Sequence, residues 1–135
     1  MFTKVHHVTY AVHNVERMAD YLHKNFGLIP EKVGDEPERG RKWILYRIGP
    51  TIVDFFQPTS ADTDLARELR EKGPGVRHVA WGVEGIDRVF QDLKRKGNEV
   101  RGTGPSTSGF GYRTVNIEPS SSHGILFQLA EGETS

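Results

Sequence analysis

The sequence predicts an α+β fold built from two β-α-β-β-β modules in a pseudo-twofold arrangement that forms a cleft. Three observations carry that expectation. A segment recurs at an offset of 71 residues, each copy is followed by an apolar stripe at helical spacing, and a pair of alternating strands closes each half.

The elements follow in order. Val5-His6-His7-Val8-Thr9-Tyr10-Ala11-Val12 and Val76-Arg77-His78-Val79-Ala80-Trp81-Gly82-Val83 both read as Val-x-His-Val-small-aromatic-small-Val, a strand in each copy. Val15, Met18, Ala19 and Leu22 then match Ile86, Val89, Phe90 and Leu93. Both sets are spaced i, i+3, i+4, i+7, one face of an amphipathic helix. Gly27 and Gly97 suit the C-terminal caps. Short strands are expected over Ile29–Val33 and Glu99–Arg101. Arg41–Ile48 and Thr51–Gln57 read as strands around a tight Gly49-Pro50 turn, and Tyr112–Glu118 and Gly124–Ala130 as a second pair with a longer turn. A helix is expected over Asp64–Lys72 and a mobile glycine-rich loop over Gly102–Gly111. The end, Gly132 to Ser135, reads as frayed. Residues 1–135 are thus expected to form a single domain, with repeats over 4–58 and 75–131 joined by a linker at 59–74.

Composition narrows the function classes. Lys+Arg and Asp+Glu are both 18, so the basic excess expected of a nucleic-acid or polybasic membrane binder is missing. There is no cysteine, which excludes disulfides, Cys-zinc sites, iron–sulfur clusters and thiol nucleophiles. Val, Ile, Leu and Phe make up about a quarter of the residues, enough for a core. The start lacks a basic-then-apolar signal pattern, and no apolar run approaches membrane-spanning length. The expectation is a cytoplasmic protein that binds a small molecule, with neither nucleic acid nor membrane as partner.

Alternation along the strands singles out four side chains. Val8, Tyr10 and Val12, like Val79, Trp81 and Val83, belong under the helices. The other face carries His7, Thr9 and Ala11, matched by His78, Ala80 and Gly82. In the closing strands one polar residue interrupts each apolar set, Asp54 in the first and Gln128 in the second. Each of the four alone has a bland reading as a satisfied core polar group. Together, at repeat-equivalent places, they match one divalent cation per chain, which would offset the cost of a buried carboxylate. Two nitrogen and two oxygen donors suit Zn, Co, Ni, Mn or Fe(II). His6 falls on the opposite face of its strand, and His13, His23 and His123 read as solvated.

The segments His7-Val8-Thr9-Tyr10-Ala11, His78 to Asp87, Gly111 to Pro119 and Gly124 to Leu129 resemble the vicinal oxygen chelate superfamily of glyoxalases, bleomycin resistance proteins and dioxygenases. Within it the resemblance is closest to methylmalonyl-CoA epimerase, and it covers residues 4–131. It implies a glyoxalase-like fold, often a homodimer, and a divalent metal on His7, Asp54, His78 and Gln128. It also implies stabilisation of an enediolate made from a CoA thioester or another carbonyl compound. Two positions depart from the epimerase pattern. Gln128 stands where the epimerase has Glu, and Trp43 stands where it has a catalytic Glu. Neither an amide nor an indole can accept a proton as a general base. Glu38, Asp54 or a metal-bound hydroxide are candidate bases, and Trp43, Arg47 and Arg113 are candidate substrate contacts.

Three functions are compatible with this pattern. One is a metal-dependent epimerase, isomerase or lyase acting next to a carbonyl. Another is a metal-dependent dioxygenase using His7, His78 and Asp54. The last is a drug- or metabolite-binding resistance protein without turnover.

Overall fold

The structure, a computed structural model, describes residues 1–133. Thr134 and Ser135, part of the expected frayed end, lie outside the described residues. The chain divides into two units, Val8–Arg77 and Met1–His7 with the stretch from His78 onward. The division passes through β1 (Lys4–Ala11) and β5 (Gly75–Gly82), which each contribute to both.

In the Val8–Arg77 unit, α1 (Val15–Phe26), β2 (Lys32–Glu36), β3 (Arg41–Ile48), β4 (Thr51–Pro58) and α2 (Asp64–Lys72) follow β1, with strand order β2-β3-β4-β1. The β3–β4 hairpin closes at Ile48 and Thr51 across Gly49, whose φ of 59° suits the first position of a two-residue loop. Asn14 accepts the Arg17 N–H at the start of α1, and Gly27 ends the helix in the left-handed region. The apolar stripe of α1 packs on Tyr10, Val12, Ile44, Tyr46 and Phe55, the first two of which alternation assigned to the helix side.

In the other unit β5 runs parallel to β8 (Phe127–Glu131), which pairs antiparallel with β7 (Arg113–Ile117), and β7 with β6 (Ser106–Thr107). α3 (Ile86–Arg95) covers this face, packing Ile86, Val89 and Phe90 on Val83, Val115 and Leu129.

The repeat survives in the hydrogen bonds. The Val12 N–H donates to the Phe56 carbonyl at 2.9 Å, and the Val83 N–H to the Ala130 carbonyl at 2.9 Å. The Val15 N–H donates to Gln57 Oε1 at 3.0 Å, and the Ile86 N–H to Glu131 Oε1 at 3.0 Å. Donors are 71 residues apart and acceptors 74, the two offsets that relate His7 to His78 and Asp54 to Gln128.

Some expected boundaries move, for local reasons. The Ile29–Val33 strand starts instead at Lys32, because Pro30 has no N–H to give a ladder. Glu99–Arg101 contributes only a Val100–Ile117 bridge, and the expected loop at 102–111 contains the short strand β6. The strand expected from Gly124 starts at Phe127. The N–H groups of Gly124 and Ile125 donate back to Pro119 and Ser122, which takes them out of the ladder. α3 ends at Arg95 with Lys96 as its cap, so Gly97 lies one residue beyond the cap. The Asp64–Lys72 helix forms where expected, capped by Thr63. Among the described residues no helix is long and apolar enough to cross a membrane.

Candidate functional site

His7 and His78 meet in one unit, with ring centroids 5.6 Å apart. β1 and β5 present them at equivalent places, and the small Ala80 keeps the neighbouring position clear. Gln128 lies opposite Ala80 in the β5–β8 ladder, which sets it beside this pair. Its Nε2 donates to Asn116 Oδ1 at 3.1 Å. Its Oε1 is close enough to favour a protonated His7, yet it is buried without a well-formed hydrogen bond. Burial, then the charges of His78 and His6, hold the His7 imidazole down to about 3, so it is a neutral lone-pair donor at ordinary pH.

Asp54 belongs to the other unit and is 1 % exposed. Burial pushes its carboxyl up to about 7, against a hydrogen bond from Thr9 and the charge of Arg41. Its Oδ1 has no hydrogen-bond partner. Thr9 is the repeat counterpart of Ala80, so Asp54 and Gln128 occupy matching places in their own units.

The donor chemistry fits a divalent cation. Imidazole, amide oxygen and carboxylate are all accepted by first-row metals, and two of the oxygens are buried orphans that a cation would satisfy. Among the described residues no group of three or more His, Cys, Asp or Glu side chains is placed to hold a metal. The cluster assembled within one unit is two imidazoles and an amide.

The other expected residues are placed as follows. Trp43 is half-buried, opposite Phe56 in one ladder and Gly34 in the next. Glu38 is exposed in a 3-10 turn over Pro37–Arg39. Arg47 makes a two-pronged ion pair with Glu31 at 3.0 and 3.2 Å, and Arg113 one with Asp87 at 2.7 and 2.8 Å. His13, His23 and His123 are exposed, as expected.

Two residues near His7 were not anticipated. His6 is buried, with its Nδ1 2.8 Å from His7 Nδ1. Tyr112 is also buried, its ring 4.7 Å from that of His6 and 5.1 Å from that of His7. Strict alternation sends His6 away from His7, so only the rare His-His doublet itself hinted at the pair.

A family model described as the Glyoxalase/Bleomycin resistance protein/Dioxygenase superfamily matches residues 6–115. The chain belongs to this superfamily. An ethylmalonyl-CoA/methylmalonyl-CoA epimerase of Cereibacter sphaeroides is 28% identical over 97% of this chain and 99% of its own. The mitochondrial methylmalonyl-CoA epimerase of Bos taurus is 26% identical over 95% of this chain and 74% of its own. A methylmalonyl-CoA epimerase solved in complex with methylmalonyl-CoA has the same fold, with TM-score 0.87, 23% identity, and coverage of 98% of this chain and 96% of that one. These relatives support an epimerase-type enzyme, an isomerase, on the glyoxalase-like fold. The superfamily match carries His7, Asp54 and His78 and stops before Gln128.

Proposed function

We propose that this chain is a divalent-metal-dependent epimerase acting at the carbon next to the thioester carbonyl of a methylmalonyl-CoA-type substrate. His7, His78, Gln128 and Asp54 are assigned to the ion. The observation that carries the reading is the buried, unpartnered Gln128 Oε1 beside His7 and His78. A second orphan, Asp54 Oδ1, stands at the repeat-equivalent place and adds the carboxylate on its own chemistry.

A divalent ion held by these groups would supply Lewis-acid stabilisation of the charge that develops on a carbonyl oxygen. The chain does the rest. Neutral His7 keeps a lone pair ready without first losing a proton. Epimerisation takes a proton from the α-carbon and returns one to the opposite face, so a proton acceptor that titrates near working pH is required. Asp54, the buried carboxylate of the set, is one candidate acceptor, and a bound cation would hold it ionised. Glu38 is the second candidate acceptor. Trp43, half-buried and unable to take a proton, is assigned to substrate packing.

The test is metal analysis of the purified protein, followed by α-proton exchange of methylmalonyl-CoA in deuterium oxide. Bound metal with exchange is expected. Asp54→Asn should abolish exchange and Glu38→Gln should leave it. Metal without exchange for any malonyl thioester would overturn the substrate class. Trp43 at the position of the epimerase's Glu favours one other reading, a binding protein without turnover. Tight thioester binding by a metal-free protein that catalyses no exchange would establish it.

A further inference from the structure

The contact between His6 and His7 fixes where the protons lie. His6 Nε2 is 2.7 Å from the carbonyl oxygen of Gly132. A carbonyl only accepts, so His6 Nε2 carries a hydrogen and donates it. At the other end of the ring, His6 Nδ1 faces His7 Nδ1 at 2.8 Å. Two ring nitrogens at that distance share one proton. A cationic His6 would bring a charge into a site that is 3 % exposed, against another imidazole, and burial opposes that. A neutral His6 with hydrogen on Nε2 has a bare Nδ1. The shared proton is therefore the one on His7 Nδ1, and His7 Nε2 is left as a lone pair.

We propose that His6 is a positioning residue that locks His7 in the Nδ1–H tautomer, leaving Nε2 unprotonated to receive a divalent cation, through a chain from His7 to His6 to the Gly132 carbonyl. This rests on the metal reading above for its purpose, and on the His6 contacts alone for the tautomer. Histidines that bind metals commonly donate their second nitrogen to a carboxylate, carbonyl or water. Here a neutral imidazole takes that place and passes the bond on to backbone. It holds the ring orientation without adding negative charge beside the donor.

Nitrogen-15 NMR of the histidine side chains in metal-free wild-type protein tests the tautomer directly. His7 should show a pyrrole-type Nδ1 and a pyridine-type Nε2, and His6 the reverse. The opposite pattern at His7, or averaging between the two, would overturn the proposal. Zinc titration of the same protein by calorimetry tests the purpose. His6→Phe, which cannot accept the proton, should weaken zinc binding about 10–100-fold and release the His7 tautomer. His6→Gln, whose amide can accept from His7 and donate to Gly132, should restore both. Wild-type affinity in His6→Phe would overturn the positioning role. Should His6→Phe fail to fold, the wild-type spectrum still decides the tautomer, and a pyridine-type Nδ1 at His7 overturns the proposal. Loss of zinc binding by wild type itself would sink the metal reading while leaving the tautomer result intact.

Discussion

The carboxylate of Glu131 accepts the backbone N–H of Gly85 at 2.6 Å and that of Ile86 at 3.0 Å. Gly85 is the N-cap of α3 and has no side chain to do this itself, so the closing strand caps the helix from across the unit. Gln57 reaches the Val15 N–H in the same way, but α1 also has Asn14. Glu131→Ala should therefore cost about 1–2 kcal/mol, with fast amide exchange at Ile86. Gln57→Ala should cost less, because the Asn14 cap remains. Denaturant midpoints of the two variants check the difference.

Metal uptake should divide the four assigned donors by chemistry. His7→Ala, His78→Ala and Asp54→Ala each remove a strong ligand, and the purified proteins should lose the ion. Gln128→Ala removes a neutral oxygen and should weaken binding less. Calorimetric titration with zinc, beside metal analysis, gives the ranking. Full zinc affinity in His78→Ala would break the assignment.

Stability of the metal-free protein should depend on pH in a way that identifies Asp54 and His7. The Asp54 carboxyl is raised from 3.8 to about 7 on folding. Its contribution is complete below about pH 4 and is lost as pH rises through 7. His7 is lowered from 6.5 to about 3, so its contribution is complete above 6.5 and is lost as pH falls through 3. Asp54→Asn should thus be more stable than wild type at pH 8 without metal, by about 1–3 kcal/mol. Added zinc should reverse that order. Thermal melts at pH 5 and 8, with and without zinc, measure both effects.

Trp43 is held by an absence. Gly34 lies opposite it in the β2–β3 ladder, and a Cβ at Gly34 would stand 2.2 Å from Cε2 and Cζ2 of the indole. Gly34→Ala must swing the ring away, at a cost of about 1–3 kcal/mol. A shift in emission wavelength should accompany the loss of stability. An unchanged spectrum and midpoint would mean that the ring is not seated there.

Much of this was legible because the chain says it twice. Val12 and Val83, or Asp54 and Gln128, are visible as pairs before any coordinates, and the hydrogen bonds keep the same two offsets. What local pattern could not give depends on contacts distant in sequence. Nothing around Gly85 announces that Glu131 caps it, 46 residues away. The ion pairs of Arg47 with Glu31 and of Arg113 with Asp87 likewise join partners that no local pattern links. His6 was set aside by alternation, a rule for regular strands that takes no account of two neighbouring rings meeting.

The two tryptophans fall one to each unit. Trp43 rests on Gly34, while Trp81 stacks on Phe2 with ring centroids 5.0 Å apart. Replacing either by phenylalanine would leave a single emitter reporting on one half of the duplication. The molecule thus contains its own optical means of asking whether its halves melt together or in turn.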